Sequence, residues 1–163
     1  MRIPYRKPGK FSQIKPDPLL SEAKFAELKN RLLLLKTQQP GAANEVSRLA
    51  EMGDFSENAA YQMAKGRLRG LNQKIMELEY QLERAIIITP KKTDTIEIGS
   101  TVTVTTGKTK KIYQILGSAE TDPQKGIISH TSPIGAALLG KKIGDMIAIH
   151  ISGKKVVYTV ISF

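Results

Sequence analysis

The sequence contains no cysteine and only two histidines, His130 and His150. Without thiols the chain can form neither disulfides nor thiolate metal sites, and it has no thiol nucleophile. His150 alternates with apolar residues in a predicted strand, which is typical of the wet face of a sheet, so we assign neither histidine a catalytic role. Phosphate loops and serine nucleophile elbows are missing as well. These absences argue against zinc catalysis and against the common nucleophilic mechanisms.

Long hydrophobic runs are also missing. No segment approaches the ~18 apolar residues of a membrane span, and the basic start of the chain is not followed by the apolar stretch of a secretion signal. We therefore expect a cytoplasmic protein with no membrane partner. Aromatic residues make up only 6% of the 163 residues and tryptophan is absent, which argues against one large globule packed around rings. A divided, elongated molecule is favoured.

Negative charge is scarce, because 15 acidic residues face 25 lysines and arginines and leave a net charge of +10. Such an excess suits a polyanionic partner or an acidic cavity. Residues 1–18 contain four prolines and five basic side chains against the single acid Asp17. This composition predicts a flexible basic arm. A solubilising tail and an arm that binds polyanions fit the segment equally well.

Two long helices are predicted within residues 19–88, because apolar residues recur there at alternating spacings of three and four. The first series begins with Phe25, Leu28, Leu32 and Leu35 and resumes with Ala42, Val46 and Leu49. We expect a kink or an interruption at Pro40 between these groups, rather than an end. The second series runs without an error from Tyr61 to Ala85. Since only a short turn at 53–58 separates the helices, they must be antiparallel, and arms of about 30 residues span roughly 45 Å.

The rest of the chain changes to the two-residue period of strands. Residues 89–95, with Pro90, form a predicted linker, and residues 96–163 a second domain. Strands are predicted at 101–104, 111–116, 146–151 and 156–161. Ser132-Pro133 and Gly140 bracket one short helix. The fold class is therefore α+β, an antiparallel coiled-coil hairpin followed by a small antiparallel-sheet domain.

The turn of the hairpin places two carboxylates, Asp54 and Glu57, three residues apart. This spacing alone favours a helix start in which Asp54 is the N-cap and Glu57 its capping-box partner. Ser56 fits a helix-start hydroxyl in the same way. A chemical role therefore needs support from outside the spacing.

That support is a resemblance, since the segment from Gly53 to Tyr61 resembles the tip signature of the bacterial Gre transcript cleavage factors, the GreA/GreB family. Several segments of the second half are similar to that family's C-terminal domain, in the same order: Glu120-Thr121-Asp122, Ile128-Ser129, Ser132-Pro133-Ile134, the stretch from Ala137 to Lys141, and Gly144-Asp145. The resemblance covers residues 20–163. It implies a coiled coil that enters the secondary channel of RNA polymerase, and an FKBP-like domain that docks at the channel rim.

The resemblance also implies the chemistry of the tip. Asp54 and Glu57 would help hold a second Mg²⁺ in the polymerase active centre and position the water that cleaves the extruded RNA 3′ end of a backtracked complex, with Ser56 orienting that water. Mg²⁺ prefers carboxylate and water oxygens, and two metals stabilise the attacking and leaving oxygens of a phosphodiester. Two carboxylates are too few to make the hairpin a nuclease. The chain would thus be no enzyme itself, would bind no cofactor alone, and would act as a monomer.

Basic side chains flank the tip in both helices: Arg48, Lys65, Arg67, Arg69 and Lys74. RNA phosphates are a natural target for them, and a solvated face is the alternative. Lys65 matches a basic position of the family and is the strongest candidate for an RNA contact. Ala50 stands where some members have an arginine, four residues before Asp54, so we expect a shifted or weaker RNA track.

Two other interpretations remain open. The chain could bind the polymerase channel as a regulator without cleavage, as some Gre-like relatives are thought to do. Retention of Asp54 and Glu57 favours cleavage over that alternative. The FKBP-like fold would also fit a prolyl isomerase, but fold analogy does not establish a site.

Overall fold

The computed structural model describes residues 17–52, 59–89, 93–107, 109–151 and 153–163, without the side chains of Ile151 and Lys154. These residues form two compact units. One is helical and covers Leu20–Thr89, and the other contains residues 93–163 together with 17–19. In the described part of the chain, no helix is long and apolar enough to cross a membrane.

The helical unit consists of α1 (Glu22–Glu51) and α2 (Ala59–Glu83). Ser21 caps α1, because its side-chain oxygen accepts a hydrogen bond from the Lys24 N–H at 3.1 Å. The helix runs through Pro40 without ending. All predicted seam positions are buried or half-buried, with Leu28, Ala64 and Ile75 the most enclosed. The short strands β1 (Leu19–Leu20) and β2 (Ile86–Ile87) form a separate pair that was not predicted.

Polar contacts join facing positions of α1 and α2. They pair Gln39 with Asn72 at 2.8 Å, Lys36 with Glu79 at 2.6 Å, and Glu45 with Arg67 at 2.7 Å. The Gln39 side-chain amide donates to the Asn72 carbonyl oxygen, and both residues are half-buried. A polar pair inside an apolar seam penalises every shifted alignment, in which one partner would be left unsatisfied. These contacts therefore fix how far each helix reaches along the other.

The second unit is built on a five-stranded sheet with the order β5-β4-β3-β7-β6. Its strands are β3 (Thr101–Thr106), β4 (Thr109–Leu116), β5 (Ile127–Ser129), β6 (Met146–Ile151) and β7 (Lys154–Ser162). The helix α3 (Pro133–Leu138) packs on the sheet, and alternating strand residues form the core with it: Val102, Val104, Ile115, Leu138, Ile147, Ile149, Tyr158 and Val160. The predicted α+β class is confirmed.

Local details of this unit follow the sequence signals closely. The Ser132 side-chain oxygen accepts from the Gly135 N–H at 3.1 Å and starts α3, and Gly140 takes a left-handed conformation with φ 75° just after it. The four predicted strands are present, although most are longer than predicted. The strand β5 was not predicted, and it joins β4 in parallel whereas the other strand pairs are antiparallel.

The chain just before α1 is anchored to this second unit. The Asp17 carboxylate accepts hydrogen bonds from the Ser118 N–H at 2.7 Å and the Leu19 N–H at 3.1 Å, and lies 3.4 Å from the His130 Nδ1. Gly117 has no side chain to obstruct this approach, since a Cβ there would overlap the Leu19 carbonyl oxygen. Asp17, the single acid of the predicted arm, thus has a structural role.

The tight approach at Gly117 predicts that Gly117→Ala destabilises the second unit. Because the added methyl must displace Leu19, we expect a loss of about 1–3 kcal/mol in the free energy of unfolding. Gly66→Ala in α2 is the matched control, since its Cβ meets nothing within 4 Å. It should stabilise the helix by about 0.5–1 kcal/mol. Denaturant unfolding measures both, and equal effects of the two substitutions would contradict the contact.

The Asp17 anchor predicts a loss of stability in acid. Burial opposes ionisation of Asp17, but the hydrogen bonds from Ser118 and Leu19, with His130 nearby, hold the pKa of its carboxyl below the usual value. A lowered pKa stabilises the fold above the unfolded-state value of about 3.9, and this contribution disappears as pH falls through the folded-state pKa. Stability measured below about pH 5 should fall more steeply for the wild type than for Asp17→Asn. Parallel curves would show that the anchor contributes nothing.

Candidate functional site

The predicted tip joins the two helices of the first unit. α1 ends at Glu51 and α2 begins at Ala59. Asp54, Ser56 and Glu57 lie between them, outside the described residues, so their roles stay predictions. Within the described part of the chain, no group of three or more histidine and carboxylate side chains could hold a metal ion. The donor set available for Mg²⁺ is therefore the tip pair, whose oxygens fit the ion but are too few to hold it alone.

Lys65 lies on α2, near the tip, and its position is partly fixed by an aromatic ring. Its ammonium lies 5.8 Å from the ring centroid of Tyr61, one helical turn closer to the tip. A cation over a ring face at this distance is held by a weak attraction and keeps its remaining donors free. Since Lys65 is exposed, it can offer those donors to a phosphate.

Arg67 differs from Lys65 because its charge is compensated. Its guanidinium donates to the Glu45 carboxylate of α1 at 2.7 Å, an exposed ion pair across the helices. The charge available to an external phosphate is correspondingly smaller. The structure therefore assigns Arg67 a cross-helix contact that its sequence position did not reveal.

Helical geometry places the basic residues of α2 on two sides of the seam. At 3.6 residues per turn, Lys65 and Arg69 lie on one flank, and Arg67 and Lys74 on the other. The lining of two surface grooves agrees with this division, since Arg69 borders one and Arg67 and Lys74 border the other. Among the described residues, neither Arg69 nor Arg48 makes an ion pair.

The flank of Lys65 and Arg69 carries features that sequence reasoning missed. Met76 and Tyr80 line a groove of about 500 Å³ beside Arg69, and Met76 is 68% exposed. Arg84 lies over the Tyr80 ring at 5.2 Å and donates to its hydroxyl. An exposed methionine and tyrosine outside the heptad seam were the available signal. This flank thus combines uncompensated positive charge with apolar surface, which suits a strand of nucleic acid with both phosphates and bases to contact.

Comparisons with known proteins match both halves of the chain. A family described as "Transcription elongation factor, N-terminal" matches residues 18–87, and one described as "Transcription elongation factor, GreA/GreB, C-term" matches residues 90–163. A protein named Transcription elongation factor GreA from Nautilia profundicola is 36% identical over 83% of this chain and 87% of its own length. A protein of the same name from Cereibacter sphaeroides is 37% identical over 88% of this chain and 94% of its own length.

Among solved structures, one titled "Structure of the transcription factor Gfh1" covers 88% of this chain and 94% of its own, at 24% identity and a TM-score of 0.42. The assignment rests on the sequence comparisons, which cover both units and run through the tip. The chain belongs to the GreA/GreB family of transcription elongation factors.

Proposed function

We propose that this protein enters the secondary channel of bacterial RNA polymerase with its helical hairpin and stimulates cleavage of the extruded RNA 3′ end in backtracked complexes, which restarts elongation. The observation that carries the proposal is the tip signature from Gly53 to Tyr61 in the connection between two paired helices of a GreA/GreB family member. A hairpin about 45 Å long is a probe that reaches a buried active centre while the rest of the protein stays outside.

The tip supplies carboxylates rather than a complete active site. Asp54 and Glu57 would each offer oxygen ligands, and Ser56 a hydroxyl that orients water by hydrogen bonding. The Mg²⁺ they help to hold, together with the polymerase's own metal, stabilises the attacking and leaving oxygens of the phosphodiester. Because Mg²⁺ keeps several waters, two added carboxylates can recruit it without a full protein cage. The polymerase contributes the remaining groups, so the chain stimulates a reaction that it cannot perform alone.

The basic flank of α2 would guide the RNA towards the tip. Lys65 and Arg69 are one turn apart, exposed, and without acidic partners among the described residues. Arg67 is a poorer candidate because Glu45 already compensates its charge. The second unit would dock at the channel rim, which raises the effective concentration of the tip in the channel.

The assignment of the tip predicts that Asp54→Asn or Glu57→Gln abolishes stimulated RNA cleavage and leaves polymerase binding nearly intact. Loss of one preorganised electrostatic group typically costs ~10²–10³ in rate, and the tip contributes little docking area. Cleavage is measured in a purified backtracked complex, and binding by competition with the wild type. Glu51→Gln is the matched control, since it removes the same charge at the end of α1, just before the tip. Normal cleavage by the double variant Asp54→Asn/Glu57→Gln would overturn the proposal.

The division of α2 into two flanks predicts unequal effects of equal charge removal. Lys65→Gln/Arg69→Gln should raise the concentration needed for half-maximal cleavage and lower the salt dependence of this concentration, by about one unit of log–log slope per lost phosphate contact. Arg67→Gln/Lys74→Gln removes the same charge from the opposite flank of the same helix and should change both quantities less. If the two double variants behave alike, general attraction rather than a defined RNA track explains the basic residues.

A further inference from the structure

The strand β6 forms one edge of the five-stranded sheet. It pairs with β7 and with no other described strand, in an unbroken register from Met146 opposite Thr159 to Ile151 opposite Lys154. No bulge interrupts this pairing, in contrast to the pairing between β3 and β7. The edge is therefore regular along the whole strand, and a further strand could align with it.

The register shows which backbone groups of β6 point away from the sheet. The Val160 N–H donates to the Asp145 carbonyl oxygen at 2.9 Å. Because inward and outward groups alternate in an antiparallel pair, Ile147 and Ile149 bond to β7, and the N–H and C=O groups of the alternate residues point outward. We call the outward groups of Met146, Ala148 and His150 the β6 edge. None of them makes a backbone hydrogen bond to another described residue outside the strand.

Natural sheets usually protect such an edge, and β6 lacks the usual protection. Edge strands are commonly shortened, bulged, or given lysine or proline. β6 has six residues, reads Met-Ile-Ala-Ile-His-Ile, and contains neither lysine nor proline. The opposite edge strand, β5, has only three residues. An open, regular and apolar edge strand is a ready-made template for β-strand addition.

An apolar groove of about 450 Å³ runs beside the β6 edge, between β6 and α3. Ala137 and Leu139 line one side, and Met146 and Ala148 the other. Met146 is 72% exposed, and nearby Ile143 is 62% exposed. A strand added at the edge could place alternate side chains in this groove, since successive side chains point to opposite faces.

Charge around the edge selects the partner. Residues 90–163 contain ten lysines and five carboxylates, and residues 146–163 contain no acid. Lys141 lines the groove and Lys142 precedes the strand. The nearest acid in sequence, Asp145, is engaged by the Lys142 N–H at 2.9 Å. A second copy of this unit would bring like charge against like charge, whereas an acidic segment would be attracted.

We propose that the β6 edge binds an extended segment of a partner protein, in which apolar residues alternate with aspartate or glutamate, as a sixth strand of the sheet. Main-chain hydrogen bonds to Met146, Ala148 and His150 provide affinity, and the groove and the lysines provide selectivity. This site uses none of the residues assigned to RNA cleavage. Its success or failure is therefore independent of the proposed function.

Amide hydrogen exchange of the full-length chain tests the site directly. The amides of Met146, Ala148 and His150 should exchange rapidly in the free protein, whereas those of Ile147 and Ile149 are protected. A capped synthetic peptide that alternates valine with glutamate is the probe. Its addition should slow exchange of the three outward amides, and an otherwise identical peptide with lysine in place of glutamate should not. Equal protection by both peptides, or none by the acidic one, would overturn the proposal.

Substitutions separate backbone pairing from general attraction. Ala148→Pro removes one outward donor without a β6–β7 hydrogen bond, and should weaken binding of the acidic peptide by about tenfold or more, whereas Ala148→Val should bind it. Protection of Ile147 and Ile149 in each variant verifies the fold. Lys141→Gln/Lys142→Gln should also weaken binding, and Lys110→Gln/Lys111→Gln is its charge-matched control. Concentration-dependent protection of the edge in the free chain would instead indicate a second copy, and protection by duplex DNA alone a nucleic acid; either result would contradict the proposal.

Discussion

The alignment of α1 against α2 is the constraint on which the rest of the molecule depends. The two helices are long, yet only Leu28, Ala64 and Ile75 are fully buried between them. So narrow an apolar seam specifies the alignment weakly, because neighbouring heptads are alike. The polar contacts supply the missing specificity, and the Gln39–Asn72 hydrogen bond does so from within the seam. The ends of both helices, and hence the place where the tip is presented, follow from this alignment.

The same contacts divide the surface of the hairpin into two unlike flanks. Glu45 crosses from α1 to compensate Arg67, whereas Lys65, on the other flank, is supported by an uncharged ring. The helix pairing thus determines which positive charges remain available to a polyanion. A net charge of +10 is shared by many residues, but in this account the uncompensated charges near the tip, rather than the total, guide RNA.

Much of the fold could be predicted from the sequence, because the seam and the longer strands are recorded in local periodicity. The strand β5 could not, since three residues carry no detectable alternation and its partner is parallel. The role of Asp17 was also hidden, as its hydrogen bond to Ser118 spans 101 positions of sequence. Of the candidate site, Lys65 and Arg69 were identified from the sequence, but the compensation of Arg67 required the cross-helix geometry. Asp54, Ser56 and Glu57 remain sequence-based predictions.

The central claim is that the tip lends carboxylates to a metal site in the polymerase. The most direct measurement is the Mg²⁺ dependence of RNA cleavage in a purified backtracked complex, with and without the wild-type protein. If Asp54 and Glu57 help to hold the second ion, the protein shifts half-maximal cleavage to a lower Mg²⁺ concentration and raises the rate at low Mg²⁺. An unchanged Mg²⁺ requirement, or inhibition at every concentration, would contradict the account.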